Sequence, residues 1–228
     1  MLKKRNNTTM RFKQYEIEEI NDSLPEIEKM FGIDLSDEDL KKVNTFSDLC
    51  DLIISKIQLA HIENCTSQQA FYKLRKEISE LKLLEINKIN PKTKLKLIFP
   101  ITSRIHDIKK LEKRLGIKLS LLAPPKTISN FLFLSTFLFI IVLFINPKIG
   151  MIGLFSSFAF LFLAYKFGLV LQKKTMKELT ESMVTQSYVE IRKTEKSVNK
   201  KELPKVLLDW FSENTLIEKE KLINGSFV

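Results

Sequence analysis

Cysteine is scarce in this chain, with Cys50 and Cys65 its only two. That count excludes a disulfide framework, and the lack of a Cys-x-x-Cys spacing excludes a thiolate metal or redox site. Both thiols are expected to be free and buried. Histidine is equally rare: His61 and His106 stand apart from any cysteine or carboxylate pair at metal-ligand spacing. The G-x-S-x-G elbow, the P-loop and the G-x-G-x-x-G turn are all missing, so no catalytic, cofactor or metal site is expected and the chain reads as a non-enzyme. Residues 1–20 carry bases without the apolar core of about 7–15 residues that a cleavable signal peptide needs. With two reduced thiols, this points to soluble parts that face the cytosol.

Charge is the second thing missing, and it is missing locally. The whole chain of 228 residues balances 37 Lys+Arg against 27 Asp+Glu, and 44% hydrophobic residues exclude intrinsic disorder. Residues 127–171, however, hold two lysines, no acid and 10 of the 17 phenylalanines. The mean hydropathy of −0.04 is therefore an average over unlike parts. Two apolar runs, 128–146 and 149–171, each meet the length of about 20 residues that crosses a hydrocarbon core. Asn146-Pro147-Lys148 between them is long enough only for a tight turn. A buried helical hairpin in a globular core is the soluble alternative, but such helices are shorter and polar on one side. Lys166, beside Tyr165, is expected to snorkel to the headgroups. With no acid in the run there is no partner for an ion or proton path.

Lysines flank the apolar runs on one side. Lys109, Lys110, Lys113, Arg114, Lys118 and Lys126 precede them, Lys173, Lys174 and Lys177 follow, and Lys148 alone sits in the turn. The positive-inside bias then puts both chain ends in the cytoplasm of what is expected to be a bacterial inner membrane, with Lys126, Lys148, Tyr165, Lys166, Lys173 and Lys174 at the membrane interface. Elsewhere Lys and Glu interleave as on exposed helix faces, which argues against nucleic-acid binding. Asp37-Glu38-Asp39 reads as a solvated first helical turn rather than an acid–base pair, because adjacent side chains on a helix diverge.

The flanking segments show helix punctuation. Ser23, Pro25 and Glu26 predict a helix start, Gly32 a stop, Ser36 and Thr45 two further starts, and Thr66 a cap. The run from Phe31-Gly32-Ile33-Asp34-Leu35 through Ser36-Asp37-Glu38-Asp39 to Thr45-Phe46-Ser47-Asp48-Leu49 resembles the second half of an acyl carrier protein, with its pattern FGI-x-(I/L)-x-DED…T-(V/F)-x-DL. A second likeness to that family begins at Thr66. Ile89-Asn90-Pro91-Lys92-Thr93-Lys94-Leu95 is similar to its I-x-P-x-T-x-L loop, and Leu111-Glu112 through Gly116-Ile117-Lys118-Leu119 to its LE-x-x-FGI-x-I helix end. Thr175 to Leu179 repeats its T-x-x-(D/E)-L. Asn224-Gly225-Ser226-Phe227-Val228 resembles the approach to its DLG-x-DSL signature.

The resemblance implies an all-α fold, with a two-helix transmembrane hairpin inserted in cytosolic carrier-like bundles. The expected parts are a disordered tail at 1–14, half-carrier helices at 15–60, a carrier-like unit at 64–126 completed by 173–190, the hairpin at 128–171, and a half-carrier helix and loop at 198–228. The two half-carriers are expected to pair as a circularly permuted unit or between protomers. A carrier works through phosphopantetheine on the serine of its DSL. Counting back from Phe31 puts Ile17 there, and Ser23 and Ser103 are the remaining candidates, each expected to act as a helix cap instead. The resemblance thus implies a membrane-anchored interaction or scaffold protein without phosphopantetheine. Its expected partners are the lipid bilayer and a protein, acyl-lipid enzymes among them, and a homo-oligomer is open. The alternatives are a functional phosphopantetheine carrier that feeds a membrane-bound lipid enzyme, and a membrane immunity or stress protein.

Overall fold

A computed structural model of the chain describes residues 10–192 and 197–227. The described residues are mostly helical. In chain order the elements are β1 (Met10–Arg11), α1 (Gln14–Phe31), α2 (Asp37–Leu40), α3 (Phe46–Lys56), β2 (Ala60–His61), α4 (Thr66–Glu80), α5 (Leu95–Ile98), α6 (Arg104–Leu115), β3 (Leu122–Ala123), α7 (Lys126–Ile145), α8 (Pro147–Lys166), β4 (Val170–Leu171), α9 (Met176–Gln186), α10 (Tyr188–Ile191), β5 (Ser197–Val198), α11 (Leu203–Asn214), α12 (Lys219–Asn224) and β6 (Gly225–Ser226). They form two compact units, one from the segments up to Tyr72 and from Thr180 onward, the other from Lys73–Leu179.

The first unit is built from the two ends of the chain. In α1, Ile17, Ile20, Leu24, Ile27 and Phe31 recur every three or four residues, and all but the half-buried Ile17 are buried. That stripe carries the helix through the Ser23–Glu26 punctuation, so the expected start at Ser23 is corrected to Gln14. Pro25 is tolerated because the proton it lacks would have gone to the carbonyl of Asn21, which lies on the solvent side. Gly32 closes α1 in the left-handed region, at φ 65°. Thr45 caps α3, accepting from the amide of Asp48 while the Asp48 carboxylate accepts from the Thr45 amide at 2.8 Å. Phe46 meets Phe211 of α11 edge to face, with ring centroids 5.2 Å apart.

β1 pairs with β6 in parallel, Met10 beside Gly225 and Arg11 beside Ser226. The Phe12 amide donates to the Ser226 carbonyl at 2.8 Å, and the Phe227 amide to the Asn44 carbonyl at 2.8 Å. Gly225 is required there, since a Cβ would lie 1.9 Å from the Phe12 ring. The terminal segments therefore pair within one chain. The tail expected over 1–14 is corrected from Met10 onward, where Phe12 is buried; residues 1–9 lie outside the described part.

A second closure joins β2 to β5, also in parallel. Arg192, 1% exposed, directs its guanidinium into it. It donates to the carbonyls of Asn64 (2.8 Å), Ile62 (3.1 Å) and Ser197 (3.3 Å), and to the Thr66 hydroxyl at 2.9 Å. Thr66 is the first residue of α4 rather than its cap. Its amide donates to the carboxylate of Glu202, which comes from the far end of the sequence.

The second unit repeats the local devices of the first. Gly116 ends α6 at φ 73° as Gly32 ends α1. The Leu119 amide donates to Glu112 at 2.8 Å, as the Leu35 amide donates to Glu28 at 2.6 Å. Leu95 donates to the Lys174 carbonyl at 2.9 Å, in the way Phe227 donates to Asn44. The Glu178 amide donates to Thr175, as the Asp48 amide does to Thr45.

Between α6 and α9 lie α7 and α8, each 20 residues and long and apolar enough to cross a membrane. At about 1.5 Å per residue each spans about 30 Å. They pack on each other along a seam of small residues. A Cβ on Gly150 would meet the Leu143 backbone at 2.4 Å, and one on Gly153 the Phe139 ring at 2.1 Å. Thr136 and Ser157 share a hydroxyl hydrogen bond of 2.5 Å, and Ser135 lies 3.2 Å from Ser157. No described residue of α7 is buried, and in α8 only Gly150, Gly153 and Ser157 are. The second apolar run is helical only to Lys166. Val170 and Leu171 turn back as β4 against β3, so the expected span to Leu171 is corrected.

Arg192→Ala leaves the carbonyls of Asn64, Ile62 and Ser197 and the hydroxyls of Thr66 and Ser197 without their charged donor. It is expected to destabilise that unit by roughly 3 kcal/mol. The urea midpoint followed by fluorescence of Trp210, the single tryptophan, reads the loss.

Candidate functional site

The first unit carries an open groove of about 590 Å³ between α1, α2 and α3. Ile17, Ile20, Leu24, Leu40 and Leu49 form its walls, and Phe227 from the chain's far end joins them. Asn21, Asp37 and Lys41 supply its polar contacts. Among the described residues that line it there is no hydroxyl, thiol or imidazole. It offers apolar contact with a polar rim, which suits binding.

Ile17, expected from the carrier resemblance to stand in place of that family's serine, is half-buried and part of this wall. Ser23 does not cap a helix: it sits within α1, buried, with its hydroxyl donating to the Ile20 carbonyl at 2.6 Å. Ser103 stands at the N-cap of α6, but its side chain caps no amide. It donates instead to Asp107 at 2.5 Å. The structure keeps the two serines in separate units.

Beside the groove, α2 and α3 are joined through Asp39. Its carboxylate accepts from Lys56 at 2.5 Å and from the Ser36 hydroxyl at 2.7 Å. These two donors, Lys56 first, bring the pKa down from the ordinary aspartate value to about 2. Glu16 is a second anchor, tying α1 to α12. Burial works against its carboxylate, but the Lys221 ammonium at 2.5 Å and the Lys13 amide at 2.8 Å outweigh that and hold its pKa below the ordinary range.

The thiols part company. Burial, with help from Asp51, pushes the Cys50 thiol up and keeps it inert. Cys65 is free but exposed, which corrects the expected burial: it lies just before α4, which begins at Thr66, and outside the buried stripe of that helix. His61 lies in β2, where its Nδ1 accepts from the Lys200 amide at 3.1 Å. His106 is exposed on α6. Among the described residues no three His, Cys, Asp or Glu side chains gather as metal ligands.

The lysines assigned to an interface bracket the apolar helices. Lys126 is the first residue of α7, Lys148 the second of α8 and Lys166 its last. The Lys166 ammonium rests 5.9 and 5.7 Å from the ring centres of Phe162 and Phe167. Tyr165 and Lys174 are exposed, and Lys173 is partly covered. Three contributions escaped sequence reasoning: Arg192, the Glu16 anchor and the Phe227 wall. Each joins residues from opposite ends of the chain, and no local periodicity marks such a partner.

No known protein family, curated protein or solved structure matches this chain.

A carboxyl titration of Asp39 by NMR is expected to centre near pH 2, with Lys56→Met and Ser36→Ala each moving it back toward the ordinary value. Because the folded pKa is depressed, the stability this contact adds is full above about pH 4. It is lost as the pH falls through about 2.

Proposed function

We propose that this chain is a non-enzymatic, membrane-anchored interaction or scaffold protein with two acyl-carrier-like helical units and no phosphopantetheine. The observation that carries the reading is Ile17. An apolar groove wall stands where a carrier needs a serine open to a transferase. The hydroxyls of Ser23 and Ser103 are both engaged internally, with Ile20 and Asp107, and Ser23 is buried. The residues present do not suit a phosphopantetheine arm.

In this reading α7 and α8 are a transmembrane hairpin in a bacterial inner membrane, and both ends of the chain are cytoplasmic. The outward-facing phenylalanines of α7 and α8, Phe131, Phe144 and Phe155 among them, support a lipid surround. So does the match between each helix, about 30 Å long, and the hydrocarbon thickness. The flanking lysines support the orientation. Pairing of Met10–Arg11 with Gly225–Ser226 supports a shared side for the two ends, whichever side that is. The groove and the outer faces of α1 to α3 suit a cytosolic protein partner, for which acyl-lipid enzymes are the class the carrier likeness favours.

Intact mass of the full chain co-expressed with a phosphopantetheinyl transferase is expected to equal the mass of the sequence. A gain of one arm overturns the reading in favour of a functional carrier, and Ser23→Ala and Ser103→Ala would then assign the site. In membrane vesicles with the cytoplasmic side outward, tags on both ends are expected to be cleaved by added protease. Protection of either tag refutes the orientation.

A further inference from the structure

We propose that the turn joining α5 to α6 and the segment after α8 form one apolar patch that rests in the headgroup–acyl boundary of the membrane. The proposal rests on the reading of α7 and α8 as spanning helices.

In this second unit Leu97 and Ile101 are 62% and 65% exposed, and Phe167 is 59% exposed. Leu169 and Val170 beside them are also exposed. Leu97 at the end of α5, Ile101 in the turn and the residues after α8 thus leave much of their apolar surface outside the core of the unit. The two segments are held together by Arg104, which is 8% exposed. Its Nε donates to the Phe99 carbonyl at 2.9 Å and its Nη1 to the Leu169 carbonyl at 2.5 Å. One buried guanidinium thus ties the turn that carries Ile101 to the strand that leaves α8.

That tie sets the depth. Leu169 follows the last residue of α8 by three positions, and Val170 pairs with Ala123, three positions before α7 begins. Three extended residues reach at most about 10 Å. The headgroup layer adds about 5–7 Å on each side of the hydrocarbon core. Leu169 is therefore held within about 10 Å of the end of α8, inside the headgroup layer or at its outer edge. The Arg104 tie keeps the turn near it, where exposed aliphatic side chains can face the acyl boundary.

The charge around the patch selects lipid over a protein partner. Residues 86–106 contain Lys88, Lys92, Lys94, Lys96 and Arg104 and no acid, and residues 113–177 contain no acid either. Lys94, Lys96 and Lys174 are exposed; Lys96 precedes Leu97 directly, and the Lys174 carbonyl accepts from the Leu95 amide at the start of α5. An apolar centre with a basic rim, continuous with two membrane-spanning helices, fits an anionic bilayer surface.

The test uses the full chain with Cys65→Ser, which leaves only the buried Cys50, in liposomes of phosphatidylcholine and phosphatidylglycerol. Nitroxides are placed by Leu97→Cys and Ile101→Cys. Leu138→Cys on α7 serves as the bilayer reference and Lys76→Cys on α4 as the aqueous one. Collision with oxygen is compared with collision with a water-soluble nickel chelate. The oxygen-to-nickel ratio at 97 and 101 is expected to be several-fold above that at 76 and below that at 138. A ratio at 97 and 101 equal to that at 76, with 138 still in lipid, overturns the patch and leaves the spanning helices standing. Labels at 97 and 101 that are immobile and shielded from both reagents overturn it in favour of a protein partner or second copy. An aqueous ratio at 138 removes the spanning reading and the patch with it.

Discussion

The two ends of the chain meet, and most of the architecture depends on that meeting. β1 and β6 exchange backbone hydrogen bonds across nearly the whole sequence, and β2 and β5 repeat the arrangement a little further in. Closing a loop that long costs only slowly more as it lengthens, by about 0.6 kcal/mol per doubling. The two-residue strands do not meet that cost alone. Phe12 packed on Phe227, Phe46 on Phe211, Glu16 paired with Lys221, and Arg192 with Asn64 and Thr66 all join early residues to late ones. The core of the first unit exists only when both ends are present, and everything between them leaves and returns.

Helix periodicity and helix punctuation disagree in α1, and periodicity decides the outcome. Ser23-Leu24-Pro25-Glu26 has each feature of a helix start. Yet Ile17 and Ile20 precede it on the stripe that Leu24, Ile27 and Phe31 continue, and four of the five bury deeply. A proline inside a helix costs about 3 kcal/mol. Burying one further aliphatic side chain returns about 1.5–3 kcal/mol, so Ile17 and Ile20 together offset it. Punctuation holds at Gly32, Ser36, Thr45 and Gly116, which act at the positions their chemistry indicates, while Thr66 and Ser103 turn their hydroxyls to Tyr188 and Asp107 instead of capping. The groove was less legible than the helices around it. Its far wall is Phe227, brought in by strand pairing, and pairing across the chain leaves no periodic trace in sequence.

The apolar helices show the same division between composition and geometry. Their existence follows from a 45-residue stretch without an acid. Which faces meet does not, because apolar residues surround both helices. The seam is set by shape: Gly150 and Gly153 admit the backbone and ring of α7, and the hydroxyls of Thr136, Ser135 and Ser157 find one another across it. The end of α8 was also hidden. Composition remains apolar through Leu171, and only the return of Val170–Leu171 onto β3 sets the limit at Lys166.

That return explains why an apolar insertion is compatible with the second unit. In the first unit the chain runs from Gly32 to Thr45 through the short helix α2. In the second, the equivalent path runs from Gly116 to Thr175 and contains α7 and α8. Both paths start from a left-handed glycine, with a Glu side chain receiving the amide three residues on. Both end on a threonine whose hydroxyl receives the amide three residues later. The scaffold needs only that the two ends of the path stay at a fixed separation. β3 and β4 supply this, with Leu122 beside Leu171 and Ala123 beside Val170 clamping the chain as it leaves and as it comes back. Gly168 lets the returning strand lie against Ala123, where any Cβ would fall 2.4 Å from its carbonyl carbon. Beyond that clamp the inserted helices answer to their own seam and surroundings. The helical unit beneath answers to Leu111, Leu115, Leu95 and Met176 in its core. A charged helical scaffold and an acid-free, apolar helix pair can share one chain because two backbone hydrogen-bonded residues on each side separate their requirements.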